Sequence, residues 1–138
     1  MPEHDIACAI IEGRVAAEAV LRTSEVIAFL DHRPVFKGHV LVCPIRHVDT
    51  LLDLPDELVL PLIGACRRIA AAMLPAVGAQ GTFVAINNVV SQSVPHLHVH
   101  VVPRTKGDGL RGFFWPRTSY AEGEAAAYAT LLREALNA

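Results

Sequence analysis

Three histidines, His96, His98 and His100, occupy every second position of "VPHLHVHVVPR", Val94 to Arg104, with Leu97, Val99 and Val101 between them. In extended chain, residues two apart share a face. The spacing therefore predicts three imidazoles on one side, ~7 Å between successive members, and three apolar side chains turned toward a core. Such a row has two chemical uses. Two or three of the imidazoles could ligate a metal, with further ligands supplied from elsewhere. Alternatively, the central imidazole attacks phosphorus while a neighbour fixes its tautomer and another donor holds the phosphate oxygens. Immediately upstream, "NNVVSQS" places Asn88, Ser91, Gln92 and Ser93 in a loop that enters the row. Short polar side chains there can donate to phosphate oxygens and to a leaving-group atom. That context favours the second use.

The elements that position these residues are read from periodicity. "IACAIIE" (6–12) predicts a short helix closed by Gly13. "AEAVLRT" (17–23) and "EVIAFLD" (25–31) predict two strands joined by a tight turn at "SE", and "GHVLVCPIR" (38–46) a third, stopped by Pro44. Pro55, Asp56 and Glu57 open a helix whose buried stripe is Leu58, Leu62, Ala65, Ile69 and Met73; Pro61 falls inside it and can shift its start. "GTFVAINN" (81–88) predicts a fourth strand and "PHLHVHVVP" (95–103) a fifth. "GEAAAYATLLREALN" (123–137) predicts a terminal helix with Ala127, Leu131, Leu132 and Ala135 as its apolar side. Hairpin-like strand groups around one helix imply an α+β fold with a mainly antiparallel five-stranded sheet, a central helix and a C-terminal helix.

Composition narrows the class. A chain of 138 residues, half of them apolar, is the size of one compact domain with a real core. A single domain over 1–138 is expected, its core at about 6–104 and a C-terminal loop and helix at 105–138. The net charge of −2 gives no electrostatic footprint for nucleic acid or an acidic membrane. No apolar run reaches the ~18 residues of a membrane span. The opening "MPEHDIACAI" carries two acids and no basic run, so no signal peptide is expected. Cys8, Cys43 and Cys66 are odd in number and far apart, which fits buried free thiols in a reducing cytoplasm.

With these residues in view, the chain resembles the histidine-triad family. "HLHVHVV" fits that family's signature of histidines alternating with apolar residues in all seven positions. "AFLDHRPVFKGHVLVCPIRH" is similar to the family's second block, and "CAIIEGR" to its first helix. Beyond the triad, "VVPRTKGD" looks most like the fragile-histidine-triad branch, which cleaves dinucleoside polyphosphates. The resemblance implies a nucleotide hydrolase that is usually a homodimer and attacks the α-phosphorus through a nucleotidyl-histidine. It implies a purine nucleotide substrate, with no nucleic acid and no membrane as partner. Alternatives are a nucleotidyl transferase or phosphorylase, or a low-turnover nucleotide-binding module.

By position, the resemblance implies His98 as nucleophile, His100 on phosphate oxygens, and His96 and His39 completing a hydrogen-bonded histidine set. It implies Ser93 and Gln92 as donors to phosphate and leaving group, and Asn88 as a phosphate or ribose contact. Asp31 would hold the ribose hydroxyls, with Phe29 and Ile10 forming the nucleoside pocket. The chemistry requires no cofactor. A structural zinc is allowed on Asp5, Cys8, His47 and His96, where Asp5 stands in place of the family's first cysteine. A second departure is the loop "NNVVSQSVPH", which is shorter than the family's and lacks its glycines. Lys106, Arg111 and Arg117 are expected near a polyphosphate tail. Phe113, Phe114 and Trp115 are expected to form an apolar patch over a dimer partner or a second base.

Overall fold

In the computed structural model, residues 5–110 and 117–138 are described; Arg111, Phe113, Phe114 and Trp115 lie outside them. Short runs rich in apolar and β-branched residues generate five strands: β1 (Ala19–Arg22), β2 (Val26–Leu30), β3 (Val40–Pro44), β4 (Gly81–Ala85) and β5 (Val99–Arg104). They form one sheet in the order β1-β2-β3-β5-β4, every neighbouring pair antiparallel. The β1–β2 turn is closed by Thr23, whose Oγ1 accepts from the Val26 N–H at 3.0 Å.

One face of the sheet is covered by the central helix α2 (Asp56–Val77). Val26, Ala28, Val40, Val42, Val99 and Val101 meet Leu58, Leu62, Ala65, Cys66 and Met73 there, and Ile69 packs at the margin. Pro61 does not move the start: the helix begins at Asp56, and a proline in its second turn loses only one hydrogen bond near the end. Gly78 ends it in a left-handed conformation at φ 70°, its N–H donating to the Met73 carbonyl. Against expectation, α2 is long and apolar enough to cross a membrane. Its buried stripe lies on the sheet, which is the placement of a core helix. On the opposite face, Ile27, Phe29 and Cys43 pack against the short helix α1 (Ile6–Ile11) through Ala7, with Ile10 at the edge.

The fifth strand differs from expectation. It begins at Val99, so His96 and His98 precede the ladder. Leu97 still points to the core, fully buried, and its N–H donates to the Val48 carbonyl at 2.8 Å. The loop after β3 thus takes over the pairing where the sheet ends.

Backbone contacts divide the chain into two units, the second starting at Gly109. Within it, α3 (Glu124–Leu136) follows Gly123, and Glu124 caps the turn by accepting the Ala121 N–H at 2.9 Å. Leu131 and Leu132 on its expected apolar side are exposed.

Two glycines separate backbone need from space. Gly38 has φ +100°, where an added Cβ would meet Pro103 only at an ordinary 3.5 Å. Gly64 lies inside α2 with nothing within 4 Å of an added Cβ. Gly38→Ala should therefore cost about 1–2 kcal/mol through backbone strain alone. Gly64→Ala should stabilise by about 0.5–1 kcal/mol through helix propensity. Denaturant midpoints of the two variants, moving in opposite directions at unchanged slope, check the pair.

Candidate functional site

The face of the sheet turned away from α2 collects the chemistry. Across the ladder, Leu41 faces His100 in β5 and Phe29 in β2. Ser93, His98, His100, Asp31, Phe29, Leu41 and Cys43 line one cavity of about 170 Å³. Burial pushes the Cys43 thiol up to about 12, so it is a neutral wall of that slot.

The hydrogen bonds fix which nitrogen each imidazole offers. His98 Nδ1 lies 2.8 Å from the His96 carbonyl, which can only accept. Nδ1 is therefore the protonated nitrogen, and Nε2 carries the lone pair. On the neighbouring side, the Val35 N–H donates to His39 Nδ1 at 3.1 Å, so His39 carries its proton on Nε2. His39 Nε2 lies 3.0 Å from His100 Nδ1 and donates to it, which leaves His100 with an Nε2–H. Burial, and then the neighbouring His98 and His39, push His100 down to about 4, and burial also lowers His39. Both are neutral at pH 7, and His100 is a donor suited to an anionic oxygen.

Asp31 sits at the edge of the slot. Its Oδ1 accepts the Arg33 N–H at 2.9 Å, and its Oδ2 lies 3.7 Å from His39 Nδ1.

The histidine row itself is divided. His98 and His100 stack edge to face at 5.1 Å between centroids. The His96 ring turns elsewhere and is fully buried. Its Nε2–H donates to the Pro44 carbonyl at 2.9 Å, so Nδ1 presents a lone pair. His47 donates from Nε2 to Asp49 at 2.7 Å and presents Nδ1 in the same way. These two lone pairs lie only 3.1 Å apart, and the Cys8 Sγ is 3.5 Å from each. Asp5 Oδ2 completes the group at 3.2 Å from His47 Nδ1, 3.6 Å from His96 Nδ1 and 3.5 Å from Cys8 Sγ. The six separations are nearly equal, as in a regular tetrahedron. An edge of about 3.4 Å places the centre about 2.1 Å from each corner, the length of a zinc bond to nitrogen or oxygen. Two opposed lone pairs, a carboxylate and a thiol converge on a point that a divalent cation would neutralise. Both imidazoles have the oriented outer partners such sites use. Asp5 serves twice, since its Oδ1 also caps α1 by accepting the Cys8 N–H at 2.6 Å.

Other expected residues stand differently. His96 contributes to the histidine set through its carbonyl, not its ring. Gln92 ties its loop to the segment after β3: its Oε1 accepts the Val89 N–H and its Nε2 donates to the Asp49 carbonyl. Asn88 Oδ1 accepts the Leu51 N–H at 2.9 Å. Ile10 packs beside Phe29, while Ile6, one turn earlier on α1, lines the slot. His32 and Val94 also line it. For Ile6, the helical period of α1 was the available signal; nothing in the sequence marked Cys43. Lys106 follows the far end of β5, its N–H bonded to Gln80 beside the start of β4. Six strand residues of about 3.3 Å each separate it from His98, too far for a phosphate held there.

Comparison with known proteins identifies the family. The HIT domain model matches residues 12–107. An uncharacterized HIT-like protein of Mycobacterium tuberculosis is 37% identical over 134 residues, 94% of this chain and 90% of that one. The adenosine 5'-monophosphoramidase of Schizosaccharomyces pombe is 30% identical, over 80% of this chain and 82% of the relative. The asymmetrical bis(5'-nucleosyl)-tetraphosphatase of the same yeast is 34% identical over 68% of this chain and 53% of its own length. A zinc-bound histidine triad family protein of Mycobacterium smegmatis superposes with a TM-score of 0.76 at 34% identity, over 97% of this chain and 99% of that one. The family thus includes proteins named as nucleotide hydrolases and one solved with zinc. With its α+β architecture, its alternating histidines and a family match over most of its length, this chain belongs to the HIT domain family.

Proposed function

We propose that this protein hydrolyses a nucleotide at its α-phosphorus, with His98 as the nucleophile. The observation that carries the reading is the bond from His98 Nδ1–H to the His96 carbonyl, which leaves the Nε2 lone pair as the group to attack. The Nε2–phosphorus bond forms as the bond to the leaving group breaks. The leaving group departs with the electron pair and takes up a proton. Water then attacks phosphorus, the phosphorus–nitrogen bond breaks back to Nε2, and a nucleoside monophosphate is released. The Nε2–H of His100 stabilises the phosphate oxygens as charge develops on them. Asp31 receives the ribose hydroxyls, the slot around Phe29 receives a purine, and Ser93 donates near the leaving group. Dinucleoside polyphosphates and nucleoside phosphoramidates are the substrate classes to compare. The working form is a cytoplasmic homodimer.

The tetrahedral group of Asp5, Cys8, His47 and His96 holds a zinc in this reading. Bound there, zinc supplies no step of the reaction; it ties α1 to the loop after β3 and to the approach to β5. Because the His96 ring would be anchored at one end and its carbonyl holds His98, the tie reaches the nucleophile's tautomer.

His98→Asn should lower kcat at least about a thousand-fold while nucleotide Kd stays within a few-fold, since the nucleophile acts in the covalent step. Turnover of diadenosine tetraphosphate and of an adenosine phosphoramidate, with binding followed by calorimetry, checks this. Equal activity in variant and wild type would remove His98 from the role. A nucleoside diphosphate formed in phosphate buffer would replace water by phosphate as acceptor.

Purified protein should carry about one zinc per chain, and a strong chelator should lower its Tm by several degrees, because metal affinity is folding free energy here. Cys8→Ser should release the metal and reduce kcat more than nucleotide affinity. Absence of zinc by elemental analysis, with Cys8→Ser as stable as wild type, would leave the four residues as an ordinary polar cluster.

A further inference from the structure

The resting tautomer of His100 has a competitor in the structure. His39 Nδ1 has two neighbours: the Val35 N–H at 3.1 Å and the Asp31 carboxylate at 3.7 Å. They ask for opposite states. A carboxylate accepts, so it favours a proton on His39 Nδ1. The Val35 amide donates, so it requires a lone pair there.

The two outcomes propagate differently. With the lone pair on Nδ1, His39 donates from Nε2 to His100 Nδ1, and His100 turns an N–H outward. With the proton on Nδ1, His39 Nε2 accepts, His100 donates from Nδ1, and His100 turns a lone pair outward. A lone pair facing an anionic phosphate oxygen repels it. The sign of the contact at the phosphate thus depends on an amide two residues beyond Arg33, in a loop remote from the histidine row in sequence.

We propose that the backbone N–H of Val35 is a positioning group that sets the tautomers of His39 and His100 and so makes His100 a donor to the reacting phosphate. The proposal rests on the functional reading above, but its first half concerns the resting protein alone. The loop is built for the task. Asp31 Oδ1 is held by the Arg33 N–H at 2.9 Å. The His39 N–H donates to the Phe36 carbonyl at 3.0 Å, and the Asp31 N–H to the His39 carbonyl at 2.9 Å. These bonds hold the Val35 amide in front of the buried ring and restrain the carboxylate that would reverse it. The Val35 side chain is half exposed, so the amide and not the side chain carries the function. Burial keeps His39 and His100 neutral, which is the condition under which a tautomer matters.

The test replaces Val35 by its α-hydroxy acid, exchanging the N–H for an ester oxygen without altering the side chain. Val35→Ala, which keeps the N–H, is the control. In wild type and Val35→Ala, nitrogen NMR should show His100 with Nδ1 unprotonated and Nε2 protonated. In the ester protein the Nδ1–H form of His100 should appear. Its kcat should fall about ten-fold, the rate equivalent of one well-placed hydrogen bond, with KM little changed. An ester protein with the wild-type nitrogen pattern would overturn the lock. A changed pattern with unchanged kcat would overturn the link to catalysis while the lock stood. If wild type turned over no nucleotide, the reading of the site would fail, and the nitrogen pattern would still decide the lock. Should the ester protein not fold, Val35→Pro, which also lacks the N–H, gives the same readouts, and a folded Val35→Pro with wild-type values overturns the proposal.

Discussion

His96 is the residue on which both halves of the site hang. Its ring is fully buried, with Nε2 fixed on the Pro44 carbonyl and Nδ1 aimed at Cys8, His47 and Asp5. Its carbonyl, at the other end of the same residue, receives the proton of His98. Both Leu97 and the Val48 carbonyl that takes its N–H are buried, which clamps the short stretch between His96 and His98. A buried ring with both nitrogens committed cannot turn without leaving polar groups unpaired, at a cost of about 1–3 kcal/mol for each. The orientation of His98 is therefore inherited from packing and hydrogen bonds several ångströms away, and needs no carboxylate at its back.

The same economy governs the other imidazoles. His39 Nδ1, His96 Nε2 and His98 Nδ1 each bond a backbone group, and backbone groups do not titrate. Val35 supplies a donor, Pro44 and His96 supply acceptors, and the tautomers of His39, His96 and His98 follow. Neutral, directional imidazoles are what phosphoryl chemistry at neutral pH requires. Burial enforces neutrality at His39, His96 and His100 by opposing the charged form.

Much of this was legible in the chain. The spacing of Leu58, Leu62, Ala65 and Met73 identified the buried face of α2, and the alternation of Leu97, Val99 and Val101 identified the core side of the last strand. Five antiparallel strands followed from hairpin signals. Period-2 alternation, however, says only which side of a sheet a residue faces while the ladder continues. The ladder stops at Val99, so the reading lost its force for His96, whose ring goes to a different cluster. Asp5 stands where the resemblance leads one to expect a cysteine. One of its oxygens caps α1 and the other reaches His47. Residue type alone does not show that Gln92 also holds its own loop, through the Val89 N–H.

That loop shows how a departure in sequence is absorbed physically. Val89 and Ser91 have φ of 68° and 63°, the left-handed region that glycine enters freely and a β-branched residue enters at a cost of about 1–3 kcal/mol. No glycine is present between Asn87 and His96 to take those positions. The compensation is side-chain bonding. Gln92 bridges the Val89 N–H to the Asp49 carbonyl, and Asn88 bridges to the Leu51 N–H, so the loop is fastened at both ends to the segment that carries His47 and Asp49. The outer carboxylate of His47 thus belongs to the same short segment that anchors the loop entering the histidine row. Glycines at Val89 and Ser91 would reach this conformation without strain. Here the strain is met by bonds that couple the surroundings of Ser93 to the segment that carries His47 and Asp49.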